Sequence, residues 1–280
     1  MMKLTLLAFH ILSYCFILIT CKNIYSSSHK SSNAFISNII SGHVSPDRPF
    51  FVQISLDIDF QFHSQPRICG GALVGASWVL TAASCLGSDA GSFLIEVGNF
   101  TQTTDVPFSR EYRSASRIFL HPNFSPDISK DRSVQMNDIA LIRLSHPVPL
   151  HRVIKMCENF APFHTLLGTC GMGVTATTGD SSFGFSKVLV ETHFFENKLS
   201  CRIDNICAKQ IYSKSNICDG DYGSPLYTFR NYNLSDVDCL YGLASFARDR
   251  KTCSKGSFFT SIPYFRSFIR STMMLYDQPE

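Results

Sequence analysis

Apolar and polar residues alternate between Phe50 and Phe62. Every second residue in this segment is apolar: Phe50, Val52, Ile54, Leu56, Ile58, Phe60 and Phe62. The residues between them are mostly polar. This period of two predicts a β-strand with one buried face.

Shorter apolar segments recur along the chain, with Gly, Pro, Asn, Asp and Ser between them. They are Phe93–Val97, Ile139–Leu144, Lys187–Val190, Leu226–Phe229, Leu240–Phe246 and Ser257–Ser261. Many short strands with turn signals between them predict an all-β barrel or sandwich. One helix is predicted near the end, because four apolar residues share one helical face: Ile262, Phe265, Phe268 and Ile269. Pro263 suits the first turn of that helix.

The N-terminus has the pattern of a targeting segment. Lys3 precedes an apolar run from Leu4 to Thr20, which is short for a spanning helix and has no basic cluster after it. We interpret residues 1–21 as a secretory signal peptide in preference to a retained membrane anchor. The serine-rich stretch from Ser26 to Ser37 indicates a short leader over residues 22–38.

Composition limits the class of protein. The chain has 280 residues, of which 45% are hydrophobic and 12% aromatic, enough for a sizeable core. A net charge of +3 is too weak to indicate a nucleic-acid or membrane-surface partner. Eleven cysteines in a secreted chain indicate a disulfide framework, and without a zinc-ribbon spacing we expect no metal and no cofactor. Three glycosylation sequons, at Asn99, Asn123 and Asn233, fit an extracellular location.

Five segments, in this order, carry a resemblance to a known family. They are "ICGGALVGASWVLTAASCL" (Ile68–Leu86), "NDIALIRLSHPV" (Asn137–Val148), "NICA" (Asn205–Ala208), "CDGDYGSPL" (Cys218–Leu226) and "GSFFTSIPYFRSFI" (Gly256–Ile269). Together they resemble the trypsin/chymotrypsin-like serine proteases, and "IISG" from Ile39 resembles the start of the mature family domain. The resemblance covers residues 39–273. It implies two six-stranded antiparallel β-barrels, about 39–150 and 151–261, a C-terminal α-helix over about 262–273, and a tail at 274–280.

The resemblance also implies a catalytic triad of histidine, aspartate and serine. The aspartate position holds Asp138, but the histidine position holds Ser84 and the serine position holds Tyr222. Ser84 is no general base near neutral pH, and a phenol has an unperturbed pKa near ~10. We expect the Tyr222 ring to fill the cleft and its hydroxyl to bond Ser84, with Asp138 behind it. The alternative is a ring turned out into solvent, where a partner can bind it as an aromatic anchor. Among the histidines, only His63 has a predicted place near the cleft.

The same motifs place the other parts of the family's active site. The oxyanion turn is Gly220, Asp221 and Gly223, and Ser224 replaces a glycine there. The specificity pocket is built by Asn216 at its base and by Ala247 and Ser257 as walls, where small residues are usual. In the family the carboxylate at Asp221 receives the new amine after cleavage before the first isoleucine. Here Ile39 follows Asn38, so a trypsin-like activator has no basic residue to recognise.

Disulfides are implied by the resemblance as well. The pairs expected are Cys69–Cys85, Cys218–Cys253, Cys170–Cys239 and Cys201–Cys207. Cys157 is left over, either joined to Cys21 in the leader, free, or bonded to another chain.

These observations favour a secreted serine protease homolog that does not catalyse. In that hypothesis the protein binds or regulates an unidentified protein partner, which is a protease, an inhibitor or a cell-surface receptor, through its loops or blocked cleft. Two alternatives stay open: a hydrolase with weak or unconventional activity, and a structural secreted glycoprotein. Neither a nucleic acid nor a membrane is expected as a partner after removal of the signal peptide.

Overall fold

The computed structural model describes residues 42–56, 68–86, 93–101, 110–125, 136–175, 184–186, 188–196, 201–211, 216–247 and 256–277. The predicted signal peptide, the leader and His63 lie outside these residues. Within them, no helix has the length and apolar character needed to span a membrane.

Six antiparallel strands of the first half close into a barrel. They are β2 (Phe51–Leu56), β3 (Ile68–Gly75), β4 (Trp78–Thr81), β5 (Phe93–Gly98), β6 (Arg110–Leu120) and β7 (Ala140–Leu144). Their order around the barrel is β2-β3-β4-β7-β6-β5. The short helix α1 (Ala83–Leu86) follows β4 directly.

Six strands of the second half also close on themselves. They are β8 (Leu166–Gly171), β11 (Val190–Glu196), β12 (Asn205–Gln210), β13 (Pro225–Phe229), β14 (Val237–Ala247) and β15 (Ser257–Ser261). The sheet order β11-β12-β15-β14-β13-β8 is completed by pairing of β8 with β11, and β1 (His43–Val44) adds to the outer side of β11. A small hairpin joins β9 (Val174–Thr175) to β10 (Gly184–Phe185), and 3-10 helices lie at Leu150–Arg152 and Arg230–Tyr232. The prediction of two six-stranded antiparallel barrels is confirmed.

Alternation explains how the strands build their cores. In β2 the side chains of Val52 and Ile54 point into the first barrel, while Gln53 between them is partly exposed. Phe51 is buried too, because it packs in the layer that also contains Tyr227 and Leu243 of the second barrel. The predicted strand is therefore confirmed over β2, and its continuation to Phe62 lies outside the described residues.

The C-terminal helix α2 (Ile262–Tyr276) forms where its apolar face predicts. Ser261 caps it, since its hydroxyl accepts from the Tyr264 backbone N–H at 3.4 Å. Ile262, Phe265 and Ile269 are buried against the strands. The helix continues past residue 273 to Tyr276, just before Asp277, whose carboxylate accepts from the indole N–H of Trp78 at 2.7 Å and so ties the helix end to the first barrel.

Candidate functional site

The carboxylate of Asp138 is the best-supported part of the predicted triad. It is buried, and α1 brings Ser84 against it. The backbone N–H of Ser84 donates to Asp138 Oδ1 at 2.7 Å, and Ser84 Oγ donates to Oδ2 at 3.1 Å. Ser245 on β14 donates to the same Oδ2 at 2.5 Å. The structure thus joins two of the three predicted positions and adds Ser245.

Ser245 was not among the predicted site residues. It is the first residue of the "SFA" segment, and its bond joins the second barrel to the Asp138 carboxylate of the first. Burial raises the pKa of Asp138 to about 6, although hydrogen bonds from Ser245 and Ser84 act in the opposite direction. Both carboxylate oxygens of Asp138 thus accept hydrogen bonds from Ser84, and Oδ2 accepts a further one from Ser245.

Tyr222 lies at the tip of a turn that requires glycine at two nearby positions. Gly220 and Gly223 have φ of 90° and 80°, in the left-handed region. A Cβ on Gly223 would lie 2.2 Å from Thr81 Oγ1 and 2.3 Å from the Gly70 carbonyl oxygen. The Tyr222 carbonyl accepts from Gly70 N–H at 2.8 Å, which holds the turn against β3.

The prediction that the Tyr222 hydroxyl bonds Ser84 is wrong. Tyr222 Oη donates to Asp219 Oδ1 at 3.0 Å, on the exposed side of the turn. The ring is half-buried and packs against the core of the first barrel. The physical reason is that a buried carboxylate is costly without hydrogen-bond donors, so the Ser84 hydroxyl donates to Asp138. The Tyr222 hydroxyl lies near solvent and donates to the neighbouring Asp219.

Asp221 points inward from the same turn. Its Oδ1 accepts from Gly173 N–H at 2.8 Å and its Oδ2 from Cys218 N–H at 3.0 Å. Among the described residues it forms no ion pair. Burial raises the pKa of Asp221 to about 7, against the effect of those two hydrogen bonds. Next to it, Ser224 is buried and its hydroxyl has no hydrogen-bond partner within the described ranges.

Two of the residues predicted for the specificity pocket contact each other. Ser257 Oγ donates to Asn216 Oδ1, so the wall residue reaches the floor residue, and both are buried. Phe246 and Phe258 stack beside them with ring centroids 4.5 Å apart. The side chain of Ala247 lies outside the described part of the structure.

The disulfides differ from the prediction at one pair. Cys69 is bonded to Cys85 and Cys201 to Cys207. The predicted Cys170–Cys239 pair is wrong, because Cys239 is bonded to the Cys157 that was left over.

The reason lies in strand position. Cys157 N–H donates to the Leu240 carbonyl, which brings Cys157 beside Cys239, while Cys170 is buried as a free thiol on β8. Cys218 is disulfide-bonded, and its predicted partner Cys253 lies outside the described residues.

A second buried polar cluster was missed from the sequence. Glu191 on β11 is paired with Arg48, whose Nε lies 2.8 Å from Glu191 Oε2, and it also accepts from Tyr227 Oη at 2.7 Å and from His193 at 3.0 Å. Burial alone raises the pKa of Glu191, but hydrogen bonds from His193 and Arg48 hold it at about 2. The only available signal was the alternation in "VETHFF", which puts Glu191 and His193 on one strand face.

The three predicted sequons are at least partly exposed, whereas His121 packs against the C-terminal helix. Asn123 and Asn233 are exposed and Asn99 is partly exposed. His121 packs edge-on against Phe265 and Phe268 of α2, with ring centroids 5.2 and 4.8 Å away.

Comparisons with known proteins agree with this geometry. The sequence model of the family described as Trypsin matches residues 39–269. Ovochymase from Halocynthia roretzi is 25% identical over 89% of this chain and 16% of its own length. Kallikrein 1-related peptidase b24 from Mus musculus is 28% identical over 76% of this chain and 82% of its own. Transmembrane protease serine 11G from Mus musculus is 28% identical over 73% of this chain and 49% of its own.

This chain therefore spans less than two thirds of the ovochymase and of the transmembrane protease. Among solved structures, human heparin binding protein has a TM-score of 0.66 at 23% identity, covering 86% of this chain and 99% of that one. At that identity the structural likeness shows the two-barrel fold.

Proposed function

This chain belongs to the trypsin family, and we propose that it is a secreted, non-catalytic member that acts by binding another protein. Ser84 and Tyr222 stand where the family motifs place the histidine and the serine. The observation that carries the proposal is the state of Asp138. Both of its oxygens accept hydrogen bonds from Ser84, and Oδ2 also accepts from Ser245.

A nucleophile needs a base whose pKa suits the proton it removes. Asp219 is the carboxylate that accepts from the Tyr222 hydroxyl. A carboxylate is a much weaker base than the imidazole of the family's triad, so it is a poor acceptor for a phenol proton. Without an imidazole, nothing in this pair activates the phenol as a serine is activated. Loss of a triad serine or histidine costs roughly 10⁶ in turnover in a related mechanism.

Substrate capture is impaired at the same site. The Ser257 hydroxyl is bonded to Asn216, the residue that we propose as the base of the specificity pocket. Asp221, which in the family receives the new N-terminal amine, here accepts hydrogen bonds from two backbone N–H groups, and burial raises its pKa to about 7. These features support a cleft that is not used for hydrolysis.

A binding role is supported by what the chain keeps. Both barrels are closed, and three disulfides are formed within the described ranges. The signal-like N-terminus and the exposed Asn123 and Asn233 sequons support secretion and glycosylation. The name of human heparin binding protein describes binding, so this fold is compatible with such a role. The partner class we propose is a protease, an inhibitor or a cell-surface receptor.

The test has a catalytic arm and a binding arm. Purified secreted protein is incubated with a fluorophosphonate probe and with peptide and ester substrates, and we expect no labelling and no turnover above buffer. If hydrolysis appears, Tyr222→Phe decides its origin: activity unchanged in that variant belongs to a contaminating protease, and activity lost with it overturns the proposal.

The binding arm uses the cleft itself. Wild type, Tyr222→Ala and the surface control Tyr232→Ala are immobilised and exposed to the native secretion. Tyr232 is 75% exposed in a 3-10 helix, away from the triad motifs in sequence. We expect a partner retained by wild type and by Tyr232→Ala but reduced with Tyr222→Ala. Retention by none of the three would contradict the binding role.

A further inference from the structure

Three potential metal ligands meet where β1 pairs with β11. His43, Glu191 and His193 each offer one ligand atom, and these atoms all lie within 4.8 Å of one another. The register explains the meeting: His43 is opposite Glu191 across the two strands, and His193 follows Glu191 by two residues on the same strand face. None of the three belongs to the triad, the oxyanion turn or the specificity pocket.

The three groups are arranged as a ligand set with an entry path. His193 Nε2 lies 3.0 Å from Glu191 Oε1, and both side chains are buried. The His43 ring stacks on the His193 ring with centroids 5.3 Å apart, and His43 itself is exposed. An ion can therefore enter past His43 and reach the buried pair.

Surrounding hydrogen bonds orient the carboxylate. Glu191 Oε2 accepts from Arg48 Nε at 2.8 Å, from Ser45 Oγ at 3.0 Å and from Tyr227 Oη at 2.7 Å. These donors hold Oε2 away from the histidines and leave Oε1 facing them, although Arg48 Nη2 also lies 3.1 Å from Oε1. Outer partners of this kind fix ligand orientation in metal sites.

The charge balance decides which metal fits. Arg48 already neutralises the charge of Glu191, so the electrostatic attraction between an added cation and this carboxylate is reduced. The two imidazoles then supply most of the binding. Oxygen-seeking Mg²⁺ and Ca²⁺ are then disfavoured, and imidazole-seeking Zn²⁺ is favoured. Two histidines, one carboxylate and one water make a common four-coordinate set for Zn²⁺.

We propose that His43, Glu191 and His193 form a Zn²⁺ site that fastens β1 to the second barrel. The ion replaces the direct contact between His193 Nε2 and Glu191 Oε1 and adds His43 from the neighbouring strand. Because β1 is only two residues long, a metal bridge to β11 would add a side-chain link to a short backbone pairing. Residues close to the start of the family domain are thereby held in place.

The experiment measures metal binding on untagged full-length secreted protein, without any assay of activity. Isothermal titration with Zn²⁺ should give one ion per chain, and Mg²⁺ and Ca²⁺ should give no heat of binding. Substitution with Co²⁺ should give the absorption bands of a tetrahedral ion. Limited proteolysis near β1 should slow when Zn²⁺ is added.

Variants separate this site from a surface histidine. His43→Gln should weaken Zn²⁺ binding at least tenfold while leaving denaturation in EDTA unchanged, since His43 is exposed. His193→Gln should remove binding, and the matched exposed control His146→Gln should leave it intact. Absence of Zn²⁺ binding by wild type at 1 mM, or full affinity in His43→Gln, overturns the proposal. If His193→Gln does not fold, His43→Gln alone decides the outcome.

Discussion

Ser84 Oγ donates to Asp138 Oδ2 at 3.1 Å, and the backbone N–H of the same residue donates to Oδ1 at 2.7 Å. Ser84 thus supplies one donor to each oxygen of the Asp138 carboxylate. A buried carboxylate without donors is costly, so these bonds explain how Asp138 persists in a chain that carries no histidine there.

Removing the two hydroxyls that bond Asp138 should destabilise the fold unequally. Ser245→Ala should lower the free energy of unfolding by about 1.5–3 kcal/mol, because a hydrogen bond to a buried charged group is lost. Ser84→Ala should cost less, about 0.5–1.5 kcal/mol, since Ser84 is only partly buried and its hydroxyl bond to Asp138 is longer than that of the buried Ser245. Urea denaturation at pH 8 measures both. A larger loss for Ser84→Ala would contradict the relative importance given to Ser245.

Restoring the triad residues alone should restore little activity. The variant Ser84→His with Tyr222→Ser regains the proton-handling groups, but the Ser257 hydroxyl stays bonded to Asn216, the residue that we propose as the base of the specificity pocket. Adding Ser257→Gly should raise peptide hydrolysis above that of the double variant, and kcat/KM on a panel of substrates measures it. Robust hydrolysis by the double variant without processing at Asn38 would show that the pocket and Asp221 do not limit catalysis.

Stability should depend on pH through Asp221 and Asp138. Burial raises the pKa of Asp221 to about 7 and of Asp138 to about 6, above the value near ~4 of the unfolded chain. The stabilisation from their protonation is complete below about pH 4 and is lost as the pH rises through 6 to 7. The destabilisation caused by Asp221→Asn should therefore shrink by about 1–3 kcal/mol between pH 5 and pH 8. Equal destabilisation at both pH values, by guanidinium titration, would disprove a raised pKa.

The Cys157–Cys239 bridge should stabilise more than the Cys201–Cys207 bridge. The first joins residues 82 apart and the second residues 6 apart. On the loop-entropy account, replacing both cysteines of the long-range pair by Ala should cost about 2 kcal/mol more than the same change in the short-range pair. Non-reducing peptide mapping should also recover Cys157 joined to Cys239, with Cys170 alkylated only after unfolding. A peptide joining Cys170 to Cys239 would refute this pairing.

Two tyrosine hydroxyls offer a matched comparison. Tyr222→Phe should change the unfolding free energy by less than about 0.5 kcal/mol, because its bond to Asp219 is exposed. Tyr227→Phe should cost about 1.5–3 kcal/mol, because its hydroxyl is fully buried and donates to the Glu191 carboxylate at 2.7 Å. Thermal and chemical denaturation test both. A large loss of stability in Tyr222→Phe would contradict the exposed bond to Asp219 and indicate that the hydroxyl is bonded inside the cleft.

The all-β class and the terminal helix followed from local patterns. Alternation in β2 and a helical stripe from Ile262 to Ile269 depend on neighbours in sequence, so they are readable without a structure. The strand β6 was not predicted, because its mixed residues show no regular alternation. The segment Lys187–Val190 was placed early, since pairing with β8 begins only at Val190.

The triad positions stay a prediction, which rests on the short, contiguous motifs around Ser84, Asp138 and Tyr222. What those side chains contact was decided by the fold. The Tyr222 hydroxyl donates to Asp219 and not to Ser84. Ser245 donates to Asp138 although it lies 107 residues further along the chain. Cys157 pairs with Cys239, and His43 meets Glu191, only because distant strands lie side by side. Local sequence determines which element forms, whereas partners far apart in sequence are set by barrel closure and register, which no short segment specifies.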